Sequence, residues 1–279
     1  MTPLAQQIAR AELAAPKAAN RWFADLGRSD CRCFEVTAVR DLMQEFMAKA
    51  APEDIREQLT FLPAPYTWIE WLTGEPNRVR LGVLLEAVEA GDTYTIESKR
   101  HIAPRGGFLL RFAAVQDGKL TSSPKFFMRH GDDGRLRIIF DQDSTTWHSE
   151  DEYHSLGCLA VCALAIINSP HIVGRRTHLP HAGLQREMAR ARKMTGKFPL
   201  QAWTEIILDL TPPREALDDG HEAHLTGGRA LHFCRAHLRV RLGKLEYVRW
   251  HWRGDPSNGI KRSRYTVKPP RPGAGQAAA

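Results

Sequence analysis

Three histidines and an aspartate near the end of the chain, His232, His237, His251 and Asp255, are residue types that could exchange protons on a phosphodiester. Arg253 beside them could steady the negative charge that develops in such a reaction. To act together these groups must be gathered by neighbouring strands. In an ideal strand successive side chains alternate, so His232 and His237, five positions apart, point to opposite faces. A bulge is needed to bring them together, and the competing reading is a mixture of core and surface histidines.

The arginines of the same region follow a clearer pattern. Within Leu231-His232-Phe233-Cys234-Arg235-Ala236-His237-Leu238-Arg239-Val240-Arg241, alternation puts Phe233, Arg235, His237, Arg239 and Arg241 on one face. The other face carries His232, Cys234, Ala236, Leu238 and Val240, mostly apolar. Guanidinium groups in a row suit phosphate, which they bind through two parallel hydrogen bonds. Trp250 and Trp252, flanking His251, could offer bases a stacking surface.

The net charge of +7 is unevenly spread. Residues 229–268 carry eleven Lys or Arg against Glu246 and Asp255, and residues 186–197 carry five against Glu187. Between them, residues 198–228 hold Arg214 against six carboxylates. Clustered positive charge is the electrostatic footprint of a nucleic-acid partner, although a charge run is often only a solvated face. The expected contacts are Arg190, Arg192, Arg235, Arg239, Arg241 and Arg253.

Other motifs point away from familiar chemistry. Cys158 and Cys162 lie four apart on a helix, far from the Cys31-x-Cys33 pair, and read as small core residues rather than zinc ligands. His221-x-x-His224 sits in an acidic loop. No phosphate-binding or dinucleotide fingerprint occurs, so no metal and no cofactor is expected. Arg253-Gly254-Asp255-Pro256-Ser257-Asn258-Gly259 reads as a tight turn. An odd cysteine count of five, no leader-like start and no apolar run of membrane-spanning length predict a cytoplasmic protein with no membrane partner.

The elements that must position these groups are legible in outline. Residues 3–26 and 41–50 read as helices, residues 54–59 as another, and residues 31–36 as a short strand. Runs at 79–89, 94–97, 107–115, 125–128 and 136–140, punctuated by Gly91-Asp92, Asp117-Gly118 and Asp132-Asp133-Gly134, predict an antiparallel sheet. Residues 150–168 form an apolar core helix, capped by Ser149 and closed by Pro170. A basic helix at 184–195 precedes strands at 203–210, 230–241, 245–252 and 264–268. The expectation is therefore an α+β fold: a helical N-terminal region (1–60), then an α+β domain (61–268). That domain holds a central antiparallel sheet, an apolar core helix and a basic β-rich C-terminal region (184–268). Residues 269–279, rich in Pro, Gly and Ala, read as a disordered tail.

Three stretches resemble a group of uncharacterised tailed-bacteriophage and prophage proteins over about residues 150–268. They are Ala163-Leu164-Ala165-Ile166-Ile167-Asn168-Ser169-Pro170, then Gly196-Lys197-Phe198-Pro199-Leu200, then Leu231 to Arg239 followed by His251-Trp252-Arg253-Gly254-Asp255, Gly259 and Tyr265. Similar proteins tend to carry Gly where Ala236 stands here. The resemblance implies a phage gene expressed inside a bacterial cell and supplies no mechanism. Three functions follow as expectations. The first is an accessory protein that binds nucleic acid, DNA or RNA, through its basic face. The second is a host-takeover protein that binds an acidic bacterial protein, and the third is a nuclease.

Overall fold

The computed structural model describes residues 1–14, 25–28, 30–49, 55, 59–74, 78–96, 99–116, 119–132, 136–139, 150–179, 182–191, 193, 202–208, 230–234, 237–242, 244–249 and 251–261. The helices are α1 (Pro3–Ala14), α2 (Arg40–Lys49), α3 (Glu150–Ile167) and α4 (Ala182–Ala191). The strands are β1 (Cys31–Glu35), β2 (Tyr66–Leu72), β3 (Arg80–Val88), β4 (Thr93–Ile96), β5 (Lys99–Ile102), β6 (Gly107–Gln116), β7 (Lys119–Ser122), β8 (Phe126–His130) and β9 (Leu136–Ile139). They continue with β10 (Val173–His178), β11 (Trp203–Leu208), β12 (Ala230–Cys234), β13 (His237–Arg241), β14 (Lys244–Val248), β15 (His251–Arg253) and β16 (Asp255–Lys261). Contacts divide the chain into two units, Met1–Pro213 with His237–Val248, and Arg214–Ala236 with Arg249–Ala279.

The first unit is built on one nine-stranded sheet in the order β10-β11-β1-β2-β3-β6-β8-β9, with β7 sharing the free edge of β6 beside β8. β1 runs parallel to both its neighbours, β11 and β2, and the other pairings are antiparallel. The sheet is therefore mixed. The expected α+β arrangement, with a helical N-terminal part and an antiparallel centre, does not hold: strand outweighs helix, and β1 is an inner strand. The helix signals at either side of β1 are sound locally, but α1 and α2 serve as covers for a sheet whose strands come from the whole unit.

The two faces are covered by different helices. On one, α2 and α3 bury Met43, Phe46 and the stretch Cys158–Ile167 against Phe34, Ile69, Trp71, Val83, Leu85, Leu110, Phe112 and Phe126. On the other, α1 lays Leu4, Ala5, Ile8 and Ala9 over Cys31, Cys33, Trp68 and Leu84. A strand covered on both sides has no exposed face to be polar. Tyr66–Leu72 is thus buried at five consecutive positions, and Arg80–Val88 shows no clean period of two. Every carbon removed from water here contributes at roughly 25 cal/mol per Å².

Shorter elements differ from their expected bounds for local reasons. β5, β7 and β10 are strands that the residue pattern does not single out, each completed by a hairpin or antiparallel partner. The single strand expected over 230–241 is two, β12 ending at Cys234 and β13 starting at His237. The one expected over 245–252 is likewise two, β14 and β15. The expected turn at 253–259 is instead a strand, β16, entered through Gly254 at φ 107°, a conformation open to glycine. Most of the helix expected at 54–59, the strand at 264–268 and the tail at 269–279 lie outside the described residues.

Candidate nucleic-acid interface

Two basic surfaces emerge, one in each unit. In the first unit β13 and β14 form an antiparallel hairpin with pairs His237↔Val248, Leu238↔Tyr247, Arg239↔Glu246, Val240↔Leu245 and Arg241↔Lys244. Leu238 and Leu245 are buried in the core beneath, with Val240 and Tyr247 packed against it. His171 Nε2 lies 2.5 Å from the Leu238 carbonyl. Because a carbonyl only accepts, that nitrogen carries the proton, and the bond clamps the stem. The opposite face presents Arg239 and Arg241, as the alternation predicts, with His237 half-buried 6.0 Å from the His171 ring.

These cations are not equivalent. Arg239 donates to Glu246 at 2.8 Å and is locally neutralised. Arg241 and Lys244 sit directly opposite one another, both exposed, and neither is ion-paired among the described residues. Like charges in that position destabilise a hairpin. Between them the chain turns through Leu242, which has φ 49° and is 91% exposed. A leucine in the left-handed region costs about 1–2 kcal/mol, because its Cβ crowds the following carbonyl. The tip therefore concentrates three local costs, and among the described residues no ion pair offsets the two charges.

The second unit holds a three-stranded sheet, β15-β12-β16. Its register sets Arg253 and Lys261 on either side of His232, His251 opposite Cys234, and Trp252 opposite Phe233. His251, Trp252 and Arg253 are exposed. His251 Nδ1 donates to the Arg249 carbonyl at 2.9 Å. Asp255 is turned to its own strand, accepting from the Ser257 hydroxyl at 2.7 Å and amide at 2.8 Å. Those two bonds hold its carboxyl below the usual range. Of the four residues considered for proton transfer, His232, His251 and Asp255 thus share a sheet while His237 belongs to the other unit. Among the described residues Asp255 bonds to Ser257 and not to a histidine. Of the expected arginines, Arg190 is exposed on α4, while Arg192, Arg235, Trp250, His221 and His224 lie outside the described residues.

A third constellation escaped the sequence altogether. Glu205, Glu35 and Glu70 are successive register partners across β11, β1 and β2. Cations or donors face each of them, with Arg80 shared by two. Glu205 takes His178 at 2.8 Å and Arg176 at 3.3 Å, with the His178 ring stacked 4.0 Å from Trp203. Arg80 lies 3.2 Å from Glu70 and 3.9 Å from Glu35. Glu35 also accepts from the hydroxyl and amide of Thr37. Burial is the first cause that pushes the Glu35 carboxyl above its ordinary range, and the neighbouring Glu70 adds to it. Glu70 itself is fully buried. No sequence signal announces this row, because its members are separated by at least thirty positions and meet only through register.

Two buried cysteines are held as thiols. Cys31 is pushed up by its contact with Cys33 and by burial, and Cys162 is pushed up by burial. Among the described residues no group of three His, Cys, Asp or Glu could hold a metal ion. Among them, too, no helix is long and apolar enough to cross a membrane. No protein-family model, no curated protein and no solved structure matches the chain.

Proposed function

We propose that this protein binds nucleic acid through the cations of the β13–β14 hairpin, Arg241 and Lys244 at its tip, and that it serves as an accessory protein of a tailed phage inside its bacterial host. The observation that carries the binding reading is a pair of like charges directly opposite each other, without an ion-pair partner among the described residues, on a stem clamped into the core. Such an arrangement is unfavourable alone and favourable against phosphate. The lopsided distribution of charge along the chain supports it, as does the exposure of Arg190 on α4 and of Arg253 on β15. The phage setting rests on the likeness of residues 150–268 to tailed-phage proteins.

The test is a binding isotherm on duplex and single-stranded DNA and RNA across a salt series. Affinity should fall linearly on a double-logarithmic plot, and replacing both tip cations by alanine should reduce the slope by about 2 on duplex DNA. Binding that ignores salt, or that is absent at low salt, refutes the reading.

A further inference from the structure

We infer that Leu242 is a wedge that opens a base step, so that the nucleic acid taken by the hairpin is double-stranded DNA at a deformable site; this deepens the reading above and rests on it. The argument begins with the tip. Leu242 is 91% exposed in a left-handed conformation that its side chain disfavours, and it stands between Arg241 and Lys244. Asparagine or glycine would fill this turn at less strain. A backbone outlier maintained at an exposed site points to a partner that uses it.

One kind of partner relieves all three features of the tip together. It must be anionic on both sides of a narrow apolar slot. Duplex DNA offers that arrangement: phosphates border each groove, and the stacked bases between them can be parted by an apolar side chain. Leucine is among the residues that proteins insert between base steps. The hairpin is suited to push, because Leu245 is buried and its partner Val240 packs against the core, one residue below the tip pair. The apex therefore cannot fold back when loaded. Duplex RNA suits the device less well, since its grooves recognise shape and 2′-hydroxyls rather than admit a wedge. Pyrimidine–purine steps such as TA unstack most readily, so they are the preferred sites.

The test uses the full chain and a short duplex with 2-aminopurine at a central TA step, whose fluorescence rises when the base is unstacked. The wild-type protein should raise the signal on binding, and a duplex with a stiff A-tract at the centre should bind several-fold more weakly. Leu242→Asn should melt at a higher temperature than the wild type, so loss of signal cannot be laid to misfolding. It should bind several-fold more weakly, keep the salt slope set by Arg241 and Lys244, and give no fluorescence rise. Binding of the wild type with unchanged fluorescence overturns the wedge and leaves nucleic-acid binding standing. Tighter binding to single strands than to duplex also overturns it. Absence of any salt-dependent binding overturns the underlying reading, and retention of an acidic protein after nuclease treatment would then identify the other class of partner.

Discussion

Glu70 gives the sharpest test of how the first unit is held together. Its carboxylate is wholly buried, and both of its oxygens accept from buried or partly buried donors. Oε1 accepts from the Leu4 amide at 3.1 Å and Arg80 at 3.2 Å. Oε2 accepts from Leu4 at 3.1 Å, Ala5 at 3.4 Å and the Trp68 indole at 3.0 Å. The Leu4 and Ala5 amides belong to the first turn of α1, whose donors have no intrahelical partners and whose dipole favours an anion. Glu70 thus caps a helix sixty-six positions earlier in the chain and fastens it to β2. In Glu70→Gln, either orientation of the amide turns an NH₂ group toward one set of donors. The change removes the charge opposite Arg80 and leaves the Leu4, Ala5 and Trp68 donors at most one neutral oxygen to share. Breaking one side of a buried pair costs about 3–5 kcal/mol. Urea unfolding at neutral pH should show that loss as a lower midpoint with an unchanged slope. Hydrogen exchange should show α1 losing protection before the sheet does. A variant within about 1 kcal/mol of wild type, with α1 still protected, would refute the claim that this carboxylate anchors the helix.

Other perturbations separate neighbouring effects. Because the folded-state carboxyl of Glu35 is raised, the native chain binds more protons than the unfolded one just above the ordinary glutamate range; this contribution is full below that range and lost as pH rises past it through the raised folded value. Glu35→Gln should therefore gain stability relative to the wild type between acid and neutral pH, and a denaturation series in pH that shows the opposite slope would reject the assignment. A Cβ at Gly82 would lie 2.2 Å from Trp68 Cζ2, on a ring held by Thr2 and Glu70, so Gly82→Ala should cost about 3 kcal/mol in a thermal melt. At Gly157 the nearest atom is the free end of Ile138, 2.5 Å away, and the helix gains from alanine, so Gly157→Ala should stay within about 1 kcal/mol of wild type.

What the residues determine by themselves is local. Alternation at 237–241 correctly puts Leu238 inward and Arg239 and Arg241 outward, since strand geometry needs no partner to define two faces. The terminator Pro170 places the end of α3 within a residue of expectation, because helix bonds close over four positions, while the expected cap Ser149 lies outside the described residues. Tertiary structure decided the rest. The same run of residues was divided between β12 and β13 because each half found a different partner: β15 and β16 for the first, β14 for the second. Parallel pairing of β1 with β2 and β11 made a mixed sheet of what reads as separate helical and antiparallel parts. Its register aligned Glu205, Glu35 and Glu70, and brought α1 onto Glu70. Hydrogen-bond registry between distant strands depends on how whole faces are buried, and no window of neighbouring residues contains that information.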